Sequence, residues 1–401
     1  MFTLEEVVTK AQQKAFLELP VVLYKNDPNW IRPLDVDIEN IFDPRKNPLI
    51  QDGNCIRWIL KDETGKTVGR VAAFYNRATI KDEPIGGMGF FDCIENRDAA
   101  FQLFDACKNW LTAVGLDGMD GPINFGDRDH WWGLLVDGFY PPNYGIAYHK
   151  PYYREFFEQY GFQNYFNQYT YHRSMYGEKL EPFVHEKAER ISKDPRYTFR
   201  NFEMKKAREY AQDFMEIYNK GWASFTGLEP MTPEHAMHLM NSIKPIMDER
   251  LLRFGYFEGK PVAFFLMVPD INQVIKHLDG KFNLLAKLKF LYYKNIAKSI
   301  TKCLGIIFGV VPEHQGKGME SAIIVDFEHL VFGTGIPYRD IELNWIGDFN
   351  PVMMRVASHV VGGKILKTHI TYRYLFDRNA PFYRCARVNS KERKTAGPAT
   401  A

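Results

Sequence analysis

Between Val310 and Ile324 the chain reads VVPEHQGKGMESAII, and the richest chemistry in the sequence lies in this spacing. A run of buried-strand residues from Leu304 to Val311 stops at Pro312. The chain then passes through Gln315-Gly316-Lys317-Gly318 and resumes with an apolar helical pattern. The first N–H groups of a helix have no partner within it, and the helix dipole adds positive partial charge at the same end. A strand, a glycine-bearing turn and a helix start therefore make a seat for a phosphate. Gly316 and Gly318 let the anion approach without a Cβ in the way. Two nucleotide signatures do not fit here, because no G-x-x-x-x-G-K-[ST] is present and no G-x-G-x-x-G follows the strand. The nucleotide readings are therefore poorer, and an acyl carrier is the other class of phosphate ligand to weigh.

The bulk properties narrow the setting. A chain of 401 residues with 45% apolar and 25% charged residues is long enough for two or three domains, each with its own core. A net charge of +2 argues against a nucleic-acid partner. Cys55, Cys93, Cys107, Cys303 and Cys385 are odd in number and lack metal-type spacing, so they read as reduced thiols of a cytoplasmic protein, and no metal site is expected. The N-terminal MFTLEEVVTKAQQK has no signal-peptide apolar core, and no apolar run reaches membrane-spanning length.

Periodicity gives the elements that must position the turn. In the first half, Val21–Tyr24 is strand-like, and the residues to Leu49 form a loop punctuated by proline and aspartate. Cys55–Leu60 and Val68–Tyr75 then form a hairpin. Met88–Ile94 predicts a strand leading into a helix over Arg97–Val114, where Phe101, Phe104, Cys107, Leu111 and Val114 share one stripe. Leu116–Phe125 predicts a strand, Tyr152–Tyr160 a helix ending at Gly161, and Tyr165–His172 a closing strand. The charged segment Glu178–Asp194 reads as the link between halves.

The second half opens with a strand at Tyr197–Phe202. Helices follow over Lys205–Trp222 and Pro233–Met247, the latter with Thr232 as N-cap. Next come a hairpin of Arg250–Phe257 and Pro261–Val268, the glycine-turn stretch, a strand at Arg339–Trp345, a helix at Pro351–Val361 closed by Gly362-Gly363, and strands from Lys364 to Phe376. Both halves run hairpin, strand, helix, strand, helix ending at glycine, strand, which is an internal duplication of architecture. The expected domains are residues 1–177 and 195–385, with a polar tail over 386–401 that has little to bury.

With these residues and this element order, the sequence resembles the GNAT superfamily of acyl-CoA-dependent N-acyltransferases. The superfamily signature Q/R-x-x-G-x-G/A is met at Gln315 and Gly318, with Glu320 in place of the final small residue. The element order supports the likeness from Tyr197 to Phe376, and over the first half the resemblance is architectural. It implies an α+β fold with a mixed sheet: two GNAT-like domains in tandem, the first degenerate. In the first half the turn position reads Glu95-Asn96-Arg97-Asp98, without glycine, so one CoA site per chain is expected.

The resemblance also implies a co-substrate, acetyl-CoA or a longer acyl-CoA, and an amine acceptor. Its pyrophosphate would lie over Gln315, Gly316, Lys317, Gly318, Met319 and Glu320. The strand end at Val310 and Val311 would splay and offer backbone groups to the pantetheine arm, and Asn350 stands ahead of the next helix. The superfamily's tyrosine acid, seven residues after that asparagine, falls on Ala357. Substitutes are Tyr372, His369 and, as base, Glu342 on the strand that borders the thioester in the implied fold.

Two further stretches bear on the acceptor. Ile271–Lys302 carries seven lysines against one aspartate, a net of +6, and residues 282–300 are helical in pattern. Leu284, Leu285, Leu288, Leu291, Tyr292 and Ile296 make one stripe there, with Lys287, Lys294 and Lys298 beside it. This reads either as a peripheral contact with an anionic membrane face or as a lid whose apolar side covers the cleft. The aromatic stretch with Trp131, Trp132, Tyr140, Tyr144, Tyr148, Tyr152 and Tyr153 reads either as the wall of an apolar acceptor tunnel or as a loop-rich core. The functional expectation is an acyl-CoA N-acyltransferase with an amine acceptor, including long-chain or sphingoid-type amines. Alternatives are aminoacyl or peptidyl transfer of the tandem-GNAT type, and a non-catalytic CoA or lipid sensor.

Overall fold

The structure is a computed structural model that describes residues 1–77, 79–81, 83–126, 128–223 and 230–388. The tail beyond 388 lies outside the described residues. In the first half the elements are β1 (Thr3–Glu6), α1 (Lys10–Leu23), α2 (Asp35–Phe42), β2 (Gly53–Lys61), β3 (Thr67–Asn76), β4 (Ile85–Cys93), α3 (Arg97–Ala113), β5 (Gly118–Gly121), β6 (Leu134–Asp137), α4 (Tyr153–Tyr160) and β7 (Gln163–Ser174). After α5 (Pro182–Ser192) come β8 (Tyr197–Asn201), α6 (Ala207–Tyr218), α7 (Pro233–Ile243), β9 (Leu252–Phe257), β10 (Lys260–Pro269), the single turn α8 (Asn272–Ile275) and α9 (Leu284–Leu291). The chain ends with β11 (Lys302–Val310), α10 (Met319–Thr334), β12 (Asp340–Gly347), α11 (Pro351–Arg355) and β13 (Lys364–Leu375).

Two expectations near the N-terminus are corrected. Val21–Leu23 end a helix and form no strand: Thr9 and Gln12 make a capping box at its start, and Pro20 sits inside it. The expected loop contains α2. The charged link between halves is also a helix. Its Val184, Ala188 and Ile191 fall on one face and are buried in the second-half core.

One mixed sheet runs through the molecule in the order β1-β2-β3-β4-β5-β13-β7-β12-β11-β10-β9-β8, with β6 beside β13. The duplication is visible in it. Each half has an antiparallel hairpin (β2–β3; β9–β10) and a short parallel pair, β4 with β5 and β11 with β12. The helix before each last strand is followed by a left-handed glycine, Gly161 at φ 104° and Gly362 at φ 76°.

The halves exchange their last strands. β13, from the C-terminal end, pairs with β5 of the first half, while β7 of the first half pairs with β12 of the second. The two main cores follow the exchange: Ile370, Tyr372 and Tyr374 pack in the first-half core, and Tyr171 and Met175 in the second. Residues 1–177 and 195–385 are therefore not separable sheets, because each borrows a strand from the other.

Candidate functional site

The parallel pairing of β11 with β12 runs from Lys302 opposite Asp340 to Gly305 opposite Leu343 and then stops. β11 continues to Val310 along β10, and β12 continues to Gly347 along β7. The two strands diverge from an apex at Gly305, where a Cβ would come within 2.6 Å of the Leu343 side chain. A bulge helps open the wedge: Leu266 faces Ile307 and Met267 faces Gly305, which leaves Ile306 as the extra residue. Ile306–Gly309 and Asn344–Gly347 thus have edges that are not paired with each other. The cleft between them measures about 1150 Å³ and is lined by Ile306–Phe308, Asn344–Gly347, Phe214 and Tyr218 of α6, and His235, Leu239 and Met240 of α7.

The first half has no equivalent opening among its described residues. Ile123 N–H donates to Met88 O at 2.8 Å, and a Cβ on Gly89 would lie 1.7 Å from Ile123 O. The backbone itself fills the space between β4 and β5. Asn96 caps α3 by accepting from Ala99 N–H, with Asp98 in the first turn where an anion would lie.

At the far end of β11 the glycine turn is as the sequence suggests. Gly316 (φ 69°) and Gly318 (φ 104°) are both left-handed, and α10 starts at Met319. Gln315 donates from Nε2 to Val310 O at 2.7 Å and ties the turn to the strand end. Val311 N–H donates to Val262 O. With the Val310 carbonyl and the Val311 N–H both engaged, the backbone facing the cleft is that of Ile306–Gly309. A recess of about 340 Å³ lies over the turn, lined by Gly316, Gly318, Glu320 and Ser321, and by Lys187 of α5, Arg355 of α11 and His359. Lys187, Arg355 and the helix start are the positive elements of this recess. Lys317 lies in the turn itself, and Met319 is buried below it. Glu320 is the opposing element: its Oε1 accepts from Gly316 N–H at 3.1 Å, so a carboxylate lies where a phosphate oxygen would. His314 takes no part, since its Nδ1 shares a hydrogen bond with the Tyr197 hydroxyl and burial lowers its pKa.

The three sequence-derived catalytic candidates lie away from this cleft. Glu342 is 3% exposed, with Lys302 Nζ at 2.8 Å and Lys367 Nζ at 2.5 Å on its two oxygens. Burial alone would raise its pKa, but the two ammonium groups outweigh burial and hold it at about 2. A carboxylate held so firmly ionised between two cations is a structural tie and not a base. Lys302 also reaches Asp270 and Asn143, so the cluster spans the junction of the halves. His369 is buried, bonded to Ala147 O, and kept neutral by burial with a pKa of about 4. Tyr372 donates to Glu158 and packs against Phe157 in the first-half core. The reason is the strand exchange: β13 follows the second half in sequence but lies between β5 and β7.

Asn350 and Ala357 do line the cleft. Asn350 caps α11 by accepting from Met353 N–H. Ala357, fully buried in a π-turn over Val356–Val360, presents no acid. Asn344, two residues after Glu342 on β12, also lines the cleft. Its Oδ1 is buried without a partner among the described groups, one residue past the wedge apex. An orphaned acceptor of this kind costs free energy unless something fills it. Tyr218 and His235 also reach the cleft, Tyr218 with its phenol pKa raised by burial.

The aromatic stretch does not line this cleft and is in part core, while Tyr140 is exposed and Trp131 and Tyr148 border a recess of about 70 Å³ in the first half. Tyr153 is fully buried, and Tyr152 and Tyr153 both donate to Cys93 O, while Tyr148 donates to Asp27. The first half reaches the cleft at Arg128 and Asp129. Residues 386–388, expected in the disordered tail, also line it, and Val388 N–H donates to Phe349 O.

A splayed parallel pair, a glycine turn closing one end of it, and a duplicated element order in one sheet define the tandem GNAT fold. No family model matches the chain. Its relatives include a protein named bacterial ceramide synthase from Caulobacter vibrioides, 27% identical over 375 residues, covering 91% of this chain and 95% of that protein. Another is protein YghO of Escherichia coli, 26% identical over 363 residues, covering 88% of this chain and 90% of its own length. Among solved structures, a tandem GNAT protein from the clavulanic acid biosynthesis pathway superposes with a TM-score of 0.54 at 10% identity, covering 94% of this chain and 98% of that one. At that identity the likeness concerns the fold.

Proposed function

We propose that this protein is an N-acyltransferase that moves an acyl group from acyl-CoA to the amine of a long-chain, sphingoid-type acceptor. The observation that carries the reading is the wedge between β11 and β12, closed at one end by the glycine turn. The relative named bacterial ceramide synthase, similar over nearly its whole length, supports an acyl acceptor of this lipid class.

The chain's own groups fit such a donor in most respects. N–H groups of the turn, with Lys187 and Arg355, would hold the pyrophosphate. Bound acyl-CoA supplies an activated acyl thioester. Backbone of β11 beyond Gly305, which no longer pairs with β12, would face the carbonyl on which the oxyanion forms. The amide Oδ1 of Asn344 would accept from the amine and orient it. Tyr218, whose phenol reaches the cleft, would donate a proton to the leaving thiolate, and His235 would take one from the amine. Apolar side chains of α6 and α7 along the cleft suit a hydrocarbon chain.

One observation favours a second reading. The Glu320 carboxylate across the turn opposes a pyrophosphate, as it would in a protein whose donor is an aminoacyl or peptidyl carrier. Calorimetry with CoA and acyl-CoAs of several lengths, followed by turnover with long-chain amines, separates these. Tight long-chain acyl-CoA binding with turnover is the expected result. Absence of binding by any CoA species would overturn the first reading, and binding without turnover would select the sensor.

A further inference from the structure

We propose that the helix over residues 282–296 is an interfacial anchor that docks the protein on an anionic lipid surface beside the cleft. α9 continues through a π-turn over Tyr292–Ile296, and its inner face is pinned by buried Ala286 and by Phe290 and Tyr293, the last stacked on His277 at 3.9 Å. The opposite face is apolar and bare: Leu284 is 76% exposed, Leu285 63%, Leu288 57% and Ile296 71%, with Phe282, Leu291 and Tyr292 between 45% and 53%. At about 100° per residue these side chains share one arc, with Lys287 and Lys294 on one flank and Lys289 on the other. The lid alternative is thereby corrected, because the stripe covers nothing among the described residues.

The charge says what covers it. From Lys281 to Lys298 there are five lysines and no acid, so a second copy placed face to face would bring two such sets together. A flanked apolar arc of this composition instead matches the boundary between acyl chains and anionic headgroups. No helix of the described residues is long and apolar enough to cross a membrane, so the contact lies in the surface plane. The anchor is fixed to the cleft wall, since Lys294 Nζ donates to Pro245 O at 2.5 Å, just beyond the end of α7. A lipid-embedded α9 would place the α7 side of the cleft toward the bilayer, where a long-chain amine partitions.

The test is flotation of the whole protein with phosphatidylcholine vesicles, with and without phosphatidylglycerol, in the absence of CoA. Binding to the anionic vesicles, weakened by salt, is expected. The combined change Leu284→Ser, Leu288→Ser, Leu291→Ser should weaken partition by about ten-fold or more, and Lys287→Gln with Lys289→Gln should remove the preference for phosphatidylglycerol. All five positions are exposed, so far-UV circular dichroism and the melting temperature should not move. Wild type that ignores both vesicles, or a serine variant that floats as wild type does, overturns the proposal. So does a vesicle-inert dimer, seen by sedimentation, that the serine changes convert to monomer. The assay contains no CoA, so its failure leaves the acyltransferase reading standing, and the reverse also holds.

Discussion

Replacing Glu320 by glutamine should strengthen CoA binding, and the size of the gain follows from the turn. The carboxylate accepts from Gly316 N–H at 3.1 Å, so a phosphate oxygen competing for the same donor would carry its charge to about 5 Å from the carboxylate. At that separation, unit charges repel by about 1 kcal/mol in water-like surroundings and about 3 kcal/mol at an effective dielectric of 20. Glu320 is half-buried at the rim of the recess, which favours the lower part of the range. Glutamine keeps the size and a carbonyl acceptor but removes the charge. The expected tightening is about 5- to 30-fold in Kd, shrinking as salt is raised. Isothermal titration of CoA into wild type and E320Q at two ionic strengths reads it directly. A folded E320Q with unchanged or weaker affinity would refute the reasoning, because the pyrophosphate would then not lie over Gly316.

Gly316→Trp should abolish CoA binding while the protein still folds, because a Cβ there meets nothing within 4 Å and the left-handed φ of 69° costs about 1–2 kcal/mol; CoA binding that survives in calorimetry would remove the turn from the site. Glu342→Gln should destabilise by roughly 3–5 kcal/mol, since it leaves Lys302 and Lys367 with less compensation in a buried place. The pH dependence has a definite sign: Glu342 falls from its ordinary 4.5 to about 2 on folding, so its stabilisation is full above 4.5 and lost as pH drops toward 2. Denaturant midpoints measured across that window should therefore fall less steeply in the variant than in wild type. Asn344→Ala should lower kcat/KM by about ten-fold or more with little change in melting temperature, because its Oδ1 has no protein partner among the described groups. Tyr372→Phe gives the contrasting profile: it loses the hydrogen bond to Glu158, costs about 1 kcal/mol of stability, and leaves turnover alone.

Local signals carried a large part of the molecule. The strand–turn–helix at the glycine motif, the Thr232 cap and the glycine ends at Gly161 and Gly362 depend on a few adjacent residues, and each stands where periodicity and capping chemistry put it. The helix over Pro182–Ser192 was also legible, from Val184, Ala188 and Ile191 at helical spacing, but its many charges concealed it. Val21–Leu23 misled because a β-branched pair favours strands by propensity alone, while the Thr9–Gln12 capping box upstream had already committed the segment to a helix.

Pairing between distant strands has no such signature. The sequence by itself determined the duplicated order, the one glycine turn and the helix start that make a phosphate seat, because these are set by backbone conformation within a dozen residues. Only the tertiary structure decided that β13 crosses into the first half and takes His369 and Tyr372 with it. It also decided that Lys302 and Lys367 close on Glu342 from strands far apart in the chain, and that Asn344 is left open in the wedge. Whether a carboxylate acts as a base or as a tie depends on the charges around it, and those charges are brought together by the fold.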